Sequence, residues 1–216
     1  MPIAHKCLAR IFFLLICSLM VLLCSGCNNS KVSEYEGTFL SNHEASEFSV
    51  LDHKGRVVSN LEHNGDAALL TFLFTKCTDV CPIVTSSIKK ALNLLENPSD
   101  VVVVIVTVDP SGDTPTAVKN YISKWDLGDN WSYITGPEEL VKPIWMSYFV
   151  SPQIAQSTKN SLKNSFDRKY NVTHTSPVYI LDRLGKARVV HTSPIDPNAV
   201  AVDLKKIMNK RTQPFK

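Results

Sequence analysis

Cysteine is scarce where this chain can fold. Of six cysteines, Cys7, Cys17, Cys24 and Cys27 fall in the first 27 residues, and only Cys77 and Cys81 lie beyond. One cross-link does not staple a small scaffold, so two thiols four residues apart make a site and not a framework. Charge of one sign is also lacking. The formal balance is +3 over 216 residues and falls to about +1 when Lys6 and Arg10 are set aside. No basic stripe remains, which argues against nucleic acid as a partner. Internal repeats are absent. The length beyond the leader suits a real core but is short for two domains, so one domain is expected.

The long apolar run stands at the start. No acidic residue precedes Cys27, and Ile11 to Cys24 is apolar apart from Ser18. A basic opening, an apolar stretch and the small residues Ser25 and Gly26 make residues 1–26 a signal peptide. As a helix the stretch spans only about two thirds of a hydrocarbon core of roughly 30 Å, so a signal segment is preferred to an uncleaved transmembrane anchor. Leu23-Cys24-Ser25-Gly26-Cys27 resembles a bacterial lipoprotein signal, in which the last cysteine is lipidated; here that residue is Cys27. Cys24 stands where such signals usually carry leucine. Either anchor leaves the rest of the chain exported, membrane-anchored and facing the periplasm or cell exterior.

Residues 27–46 are polar and aperiodic and read as a membrane tether, which puts the folded domain at 47–212. The domain opens with a hairpin, Phe48–Leu51 and Arg56–Val58, around Asp52-His53-Lys54-Gly55. Ala67–Phe74 and Val101–Val108 are nearly continuous apolar runs, as expected of strands buried on both faces. Between them Pro82 opens a helix to about Glu96, with Val84, Ile88, Ala91, Leu92 and Leu95 on one face. Further helices are expected at Thr116–Trp125, Glu138–Tyr148 and Val200–Met208. Ser151–Thr173 reads as a long surface loop, and a second hairpin pairs Pro177–Leu181 with Ala187–His191. The order describes an α/β fold, a sheet with helices on both faces, whose cysteines sit where a central strand feeds a helix.

Cys77 and Cys81 at that junction lie one helical turn apart, about 5–6 Å between Cβ atoms. The spacing serves either a disulfide or a shared metal ion. A helix N-terminus and Lys76 favour thiolate at neutral pH, which both chemistries need. Two cysteines alone make a poor metal site, so a third ligand is sought among His43, His53, His63, His174 and His191. Four of these read as surface decoration. His174 stands apart, at the break between the long loop and a strand, where a side chain can project over the sheet end.

Phe72-Leu73-Phe74-Thr75-Lys76-Cys77-Thr78-Asp79-Val80-Cys81-Pro82 resembles the signature of the SCO/SenC family, thioredoxin-fold copper proteins that help assemble cytochrome c oxidase. Val108-Asp109-Pro110-Ser111-Gly112-Asp113-Thr114-Pro115 and Trp131-Ser132-Tyr133-Ile134-Thr135-Gly136 are similar to its second and third motifs. Tyr170-Asn171-Val172-Thr173-His174, with Tyr179 and Asp182 beyond, resembles the segment bearing the family's histidine ligand. The likeness runs from about Phe48 to Met208. Thr78 stands where the family usually has proline, Lys76 where a polar residue or histidine is usual, and Thr173 where an acidic residue is common. These departures bear on the tuning of a site and remove no ligand. Pro177 is a candidate for the cis-proline of thioredoxin-like folds.

The resemblance implies a thioredoxin-like fold, a central mixed sheet flanked by helices with an extra N-terminal hairpin. It also implies a metal site of Cys77, Cys81 and His174, with copper as Cu(I) or Cu(II). Two thiolates and an imidazole suit copper, and three ligands leave a position open for handing the metal on, where structural zinc normally takes four. The implied function is a membrane-tethered metallochaperone that delivers copper to the CuA site of cytochrome c oxidase. Its partners are the copper-bearing subunit of the terminal oxidase and a copper donor or thiol reductant. The competing reading is a thiol–disulfide oxidoreductase acting on exported proteins, with Cys77 attacking and Cys81 resolving; a peroxide-reducing variant is a third. His174 discriminates, because an exchange enzyme does not need it. Asp109 and Asp113 are read as a capped loop before a helix rather than as ligands, and Asp79 as solvent-facing or as support behind the ligands.

Overall fold

Two runs of aliphatic residues, too apolar to leave either face wet, build the centre of the sheet. In the computed structural model, which describes residues 34–41, 43, 45–60, 65–154 and 172–210, these are β4 (Ala67–Leu73) and β5 (Val101–Thr107). They pair in parallel, Ala67 opposite Val101 through to Leu73 opposite Thr107. Every side chain of β4 is buried, as a strand covered on both faces requires. β6 (Trp131–Ile134) continues the sheet in parallel on the far side of β5. On the other flank β9 (Val178–Asp182) and β10 (Ala187–His191) run antiparallel, and β1 (Thr38–Phe39) closes the edge, giving the order β1-β10-β9-β4-β5-β6. The sheet is mixed, as expected.

The crossovers are helical. α1 (Val80–Leu92) links β4 to β5, and α2 (Pro115–Trp125), capped by the Thr114 hydroxyl, links β5 to β6. Thr85 of α1 meets the Tyr121 hydroxyl of α2 at 2.6 Å. The Lys89 amine donates to the Trp125 carbonyl at 2.6 Å, where a cation at a helix C-terminus is favourable. α4 (Pro197–Asn209) packs beside α1. α3 (Glu138–Ser147) leads into Tyr148, whose ring packs on Phe72 and Tyr179. Full burial of a side chain such as Phe72 contributes about 1.5–3 kcal/mol. The opening hairpin is present as β2 (Ser49–Leu51) and β3 (Val57–Ser59), and its turn covers the sheet edge where His53 pairs with Tyr133 of β6.

Several expectations change. The tether does not extend to residue 46: Tyr35 is buried, Phe39 stacks on it, and β1 hydrogen-bonds into the sheet, so the compact unit begins at Tyr35. Asp203 of α4 holds this segment, accepting the N–H groups of Glu36 and Gly37 at 2.9 Å each. α1 ends at Leu92 rather than Glu96, and Asn97-Pro98 opens a short 3₁₀ turn instead. The long loop has a stem, β7 (Gln153–Ile154) paired with β8 (Val172–Thr173). The cis peptide bond among the described residues is Ser193–Pro194, so Pro177 is trans. The signal segment and Cys27 lie outside the described residues, as does His63. Among the described residues no helix is long and apolar enough to cross a membrane.

Candidate metal centre

β4 ends at Leu73, and four residues later the chain offers its first thiol. The Phe74 carbonyl accepts the Cys77 N–H at 3.3 Å, which turns the chain, and α1 starts at Val80. The N–H of Cys81, in the first turn of α1, donates to Cys77 Sγ at 3.4 Å. Electron density on that sulfur therefore faces the positive end of the helix. Both thiols are free; Cys77 is half-buried and Cys81 fully buried. Burial is the main force pushing the Cys81 thiol well above its usual range, with Cys77 and the Asp113 charge adding to it. This corrects the expectation of accessible thiolate at Cys81: the helix N-terminus does not offset the loss of water around the sulfur.

His174 arrives from the other side of the sheet. Thr71, the polar residue within β4, donates from its hydroxyl to the Pro177 carbonyl at 2.9 Å and pairs with Val178, so the start of β9 is fixed against the end of β4. Three residues before Pro177, His174 packs edge-on against Phe74 at 5.8 Å. Its Nε2 lies 4.0 Å from Cys81 Sγ, and its Nδ1 lies 2.7 Å from the Thr175 carbonyl. A carbonyl only accepts, so Nδ1 carries the proton and Nε2 turns a lone pair toward the sulfur. Burial holds the ring below its ordinary pKa, which keeps that lone pair free.

The three residues are thus neighbours, but the arrangement is open. Among the described residues no three His, Cys, Asp or Glu side chains converge closely enough to hold a metal ion. Bonds of about 2.3 Å to sulfur and 2.0 Å to nitrogen add up to more than the 4.0 Å between Cys81 and His174, so one ion reaches both.

The other described histidines, His43, His53 and His191, are spent elsewhere. His43 packs among Tyr148, Phe149 and Tyr179. His53 Nδ1 accepts the Tyr133 N–H at 3.1 Å. His191 is buried and lies 3.1 Å from Asp203, because β1 covers β10 and β10 is no edge. Asp79 faces solvent.

Sequence reasoning missed the role of Asp113. Thr114, not Asp113, caps α2. The Asp113 carboxylate is 1% exposed and takes four donors: the Thr75 N–H at 2.8 Å and hydroxyl at 2.7 Å, the Thr107 hydroxyl at 2.6 Å and the Tyr133 hydroxyl at 2.7 Å. Burial lifts its pKa, against the pull of these donors. Asp109 does fold the loop as expected, accepting the Gly112 N–H at 3.0 Å. The sequence signal for Asp113 was three scattered hydroxyl residues, Thr75 two past the end of β4, Thr107 ending β5 and Tyr133 within β6.

The SCO1/SenC family model matches residues 37–209, across both cysteines, the Asp113 turn and His174. The chain belongs to the SCO1/SenC family. An SCO2-like protein of Rickettsia prowazekii is 29% identical over 140 residues, 64% of each chain, so the match spans just under two thirds of that relative. The structure of Bradyrhizobium japonicum ScoI with copper bound is 28% identical, with a TM-score of 0.61 over 76% of this chain and 98% of that one. An SCO1/SenC family lipoprotein from Bacillus anthracis is 23% identical, with a TM-score of 0.63 over 77% and 96%, and shows the same fold. This SCO1/SenC member is therefore thioredoxin-like in architecture, a mixed sheet with flanking helices.

Proposed function

We propose that this chain is a membrane-tethered copper metallochaperone in which Cys77, Cys81 and His174 hold the ion as cargo. Membership of the SCO1/SenC family supports the class, and the copper-bound Bradyrhizobium relative supports the ion. The observation that carries the assignment to residues is the Nε2 lone pair of His174 facing Cys81 Sγ at 4.0 Å, an approach that thiol exchange does not require. Thiolate and neutral imidazole suit Cu(I) and tolerate Cu(II). Rotation of half-buried Cys77 completes the set, and the position left open admits a receiving protein's ligand. The receiver in this reading is the copper-bearing subunit of cytochrome c oxidase, at its CuA site. Lipidation of Cys27 after export would hold the domain at the outer face of the membrane.

The test is a titration of the reduced fragment 28–216, which contains the whole compact unit with its own sheet and core, against Cu(I) under a competing chelator. One-to-one binding that weakens about tenfold or more in His174→Ala is the expected result. Binding no tighter than the chelator's, or indifferent to His174, overturns the reading.

A second reading has its own observation. A half-buried Cys77 whose sulfur accepts the Cys81 N–H, backed by a buried Cys81, is the arrangement of an attacking and a resolving thiol. Cys77 would displace one sulfur of a partner disulfide, and Cys81 would then displace the other. The Cys77–Cys81 disulfide and a partner dithiol result. Turnover of a model disulfide that survives His174→Ala while copper binding fails would favour it.

A further inference from the structure

A buried carboxylate, that of Asp113, ties the thiol-bearing turn to the sheet. Thr75 stands two residues before Cys77 and one after Phe74, whose carbonyl holds the Cys77 N–H and whose ring supports His174. Both donors of Thr75, its N–H and its hydroxyl, go to Asp113 Oδ1. The opposite oxygen of the same carboxylate is held by Thr107, the last residue of β5, and by Tyr133 of β6. The Asp113 carbonyl in turn accepts the Thr135 hydroxyl at 2.7 Å, and its N–H donates to the Asp109 carbonyl at 2.9 Å. A carboxylate has about four acceptor positions, and here all four are used, two toward the cysteine turn and two toward the neighbouring strands. Its two sides therefore have separable duties.

We infer that Asp113 is a positioning residue for the thiol pair: it fixes the turn that carries Cys77 and Cys81 relative to the sheet on which His174 is mounted. The consequence for metal rests on the copper reading above; the consequence for the thiols does not. Among the described hydrogen bonds the Thr75 N–H goes to Asp113 alone, and asparagine would present an amide nitrogen to one side of the hub. The Thr75 hydroxyl can be removed without disturbing the bonds of Thr107 and Tyr133, and the Tyr133 hydroxyl, which also lies 3.4 Å from the Leu73 carbonyl at the end of β4, without removing either donor of Thr75.

Four variants of the reduced fragment 28–216 decide the matter: Asp113→Asn, Thr75→Val, Thr75→Ser and Tyr133→Phe. Each is measured for Cu(I) affinity against a chelator, for the dithiol–disulfide equilibrium of Cys77 and Cys81 in glutathione buffer, and for its urea midpoint. In the buffer one glutathione disulfide is reduced to two glutathiones as the protein pair is oxidised. Asp113→Asn is expected to weaken Cu(I) binding about 10- to 100-fold, the range for a lost hydrogen bond to a charged group, and Thr75→Val about tenfold. Both should also disfavour the protein disulfide about tenfold, because a loosened turn lowers the effective concentration of one thiol at the other. Thr75→Ser, which keeps the hydroxyl, should match the wild type. Tyr133→Phe should lower the urea midpoint yet leave both site readouts within about twofold. Losses that track the urea midpoint across all variants overturn the inference, as does wild-type behaviour of Thr75→Val. If Asp113→Asn does not fold, the other three still decide. If the wild type itself fails to bind Cu(I), the copper reading falls, and the glutathione equilibrium alone judges Asp113.

Discussion

His174 and Cys81 face each other through one nitrogen and one sulfur, and the nitrogen is the unprotonated one, fixed by the 2.7 Å bond from Nδ1 to the Thr175 carbonyl. The sulfur is the protonated partner, since burial pushes the Cys81 thiol far up. Metal captured between them must displace that proton, while His174, held low by burial, releases none near neutral pH. Apparent Cu(I) affinity should therefore rise by at least about tenfold per pH unit, the value for one proton released. Chelator competition at pH 6, 7 and 8 checks this. A flat profile would mean that Cys81 gives up no proton and does not bind as thiolate.

Four described histidines, His43, His53, His174 and His191, are held below their ordinary value, each chiefly by burial. The unfolded chain then takes up protons before the folded one as pH falls. Stability is full above the unfolded value of about 6.5 and is lost as pH drops through it. Urea midpoints between pH 7.5 and 6 should fall on acidification. His191→Gln should flatten the slope even though it costs the contact to Asp203.

The N-terminal segment is pinned by Asp203 and closely packed at Gly37. Asp203→Ala removes the acceptor of two N–H groups and the partner of His191, a loss of about 3 kcal/mol by the usual cost of breaking a buried charged contact. A Cβ on Gly37 would sit 2.6 Å from Val189 Cγ1 and 2.9 Å from two atoms of the His191 ring, so Gly37→Ala should cost about 1–3 kcal/mol. Urea unfolding gives both values. In limited proteolysis both variants should be cut first near Tyr35–Phe39, and unchanged cleavage would deny that this segment is held by these contacts.

Cys27 is the proposed lipid attachment point. Full-length chain produced in a bacterial host should enter the detergent phase with an added lipid mass, and Cys27→Ser should lose both. Retention of the variant in the membrane with residues 1–26 still attached would instead identify an uncleaved anchor.

The sequence exposed what a local pattern can carry. β4 and β5 were legible because parallel strands covered on both faces need unbroken apolar runs. The cysteine turn was legible because its residues are contiguous. β6 escaped as a strand, being four residues with Ser132 among them, and β1 escaped because two residues show no period. The Asp113 hub was hidden for another reason: Thr75 and Tyr133 are 38 and 20 residues away, brought together only by the parallel crossovers. Thiolate at Cys81 was misjudged because helix polarity is local and visible, whereas desolvation depends on everything packed around the sulfur.

The docking of Tyr35 and β1 into the domain shortens the leash. With Cys27 as anchor, only residues 28–34 separate the lipid from Tyr35. Seven residues at full stretch reach about 25 Å. If Cys27 is lipidated as proposed, the domain would be confined to a shallow layer above the bilayer, and a protein it served would have to present its receiving site within that layer.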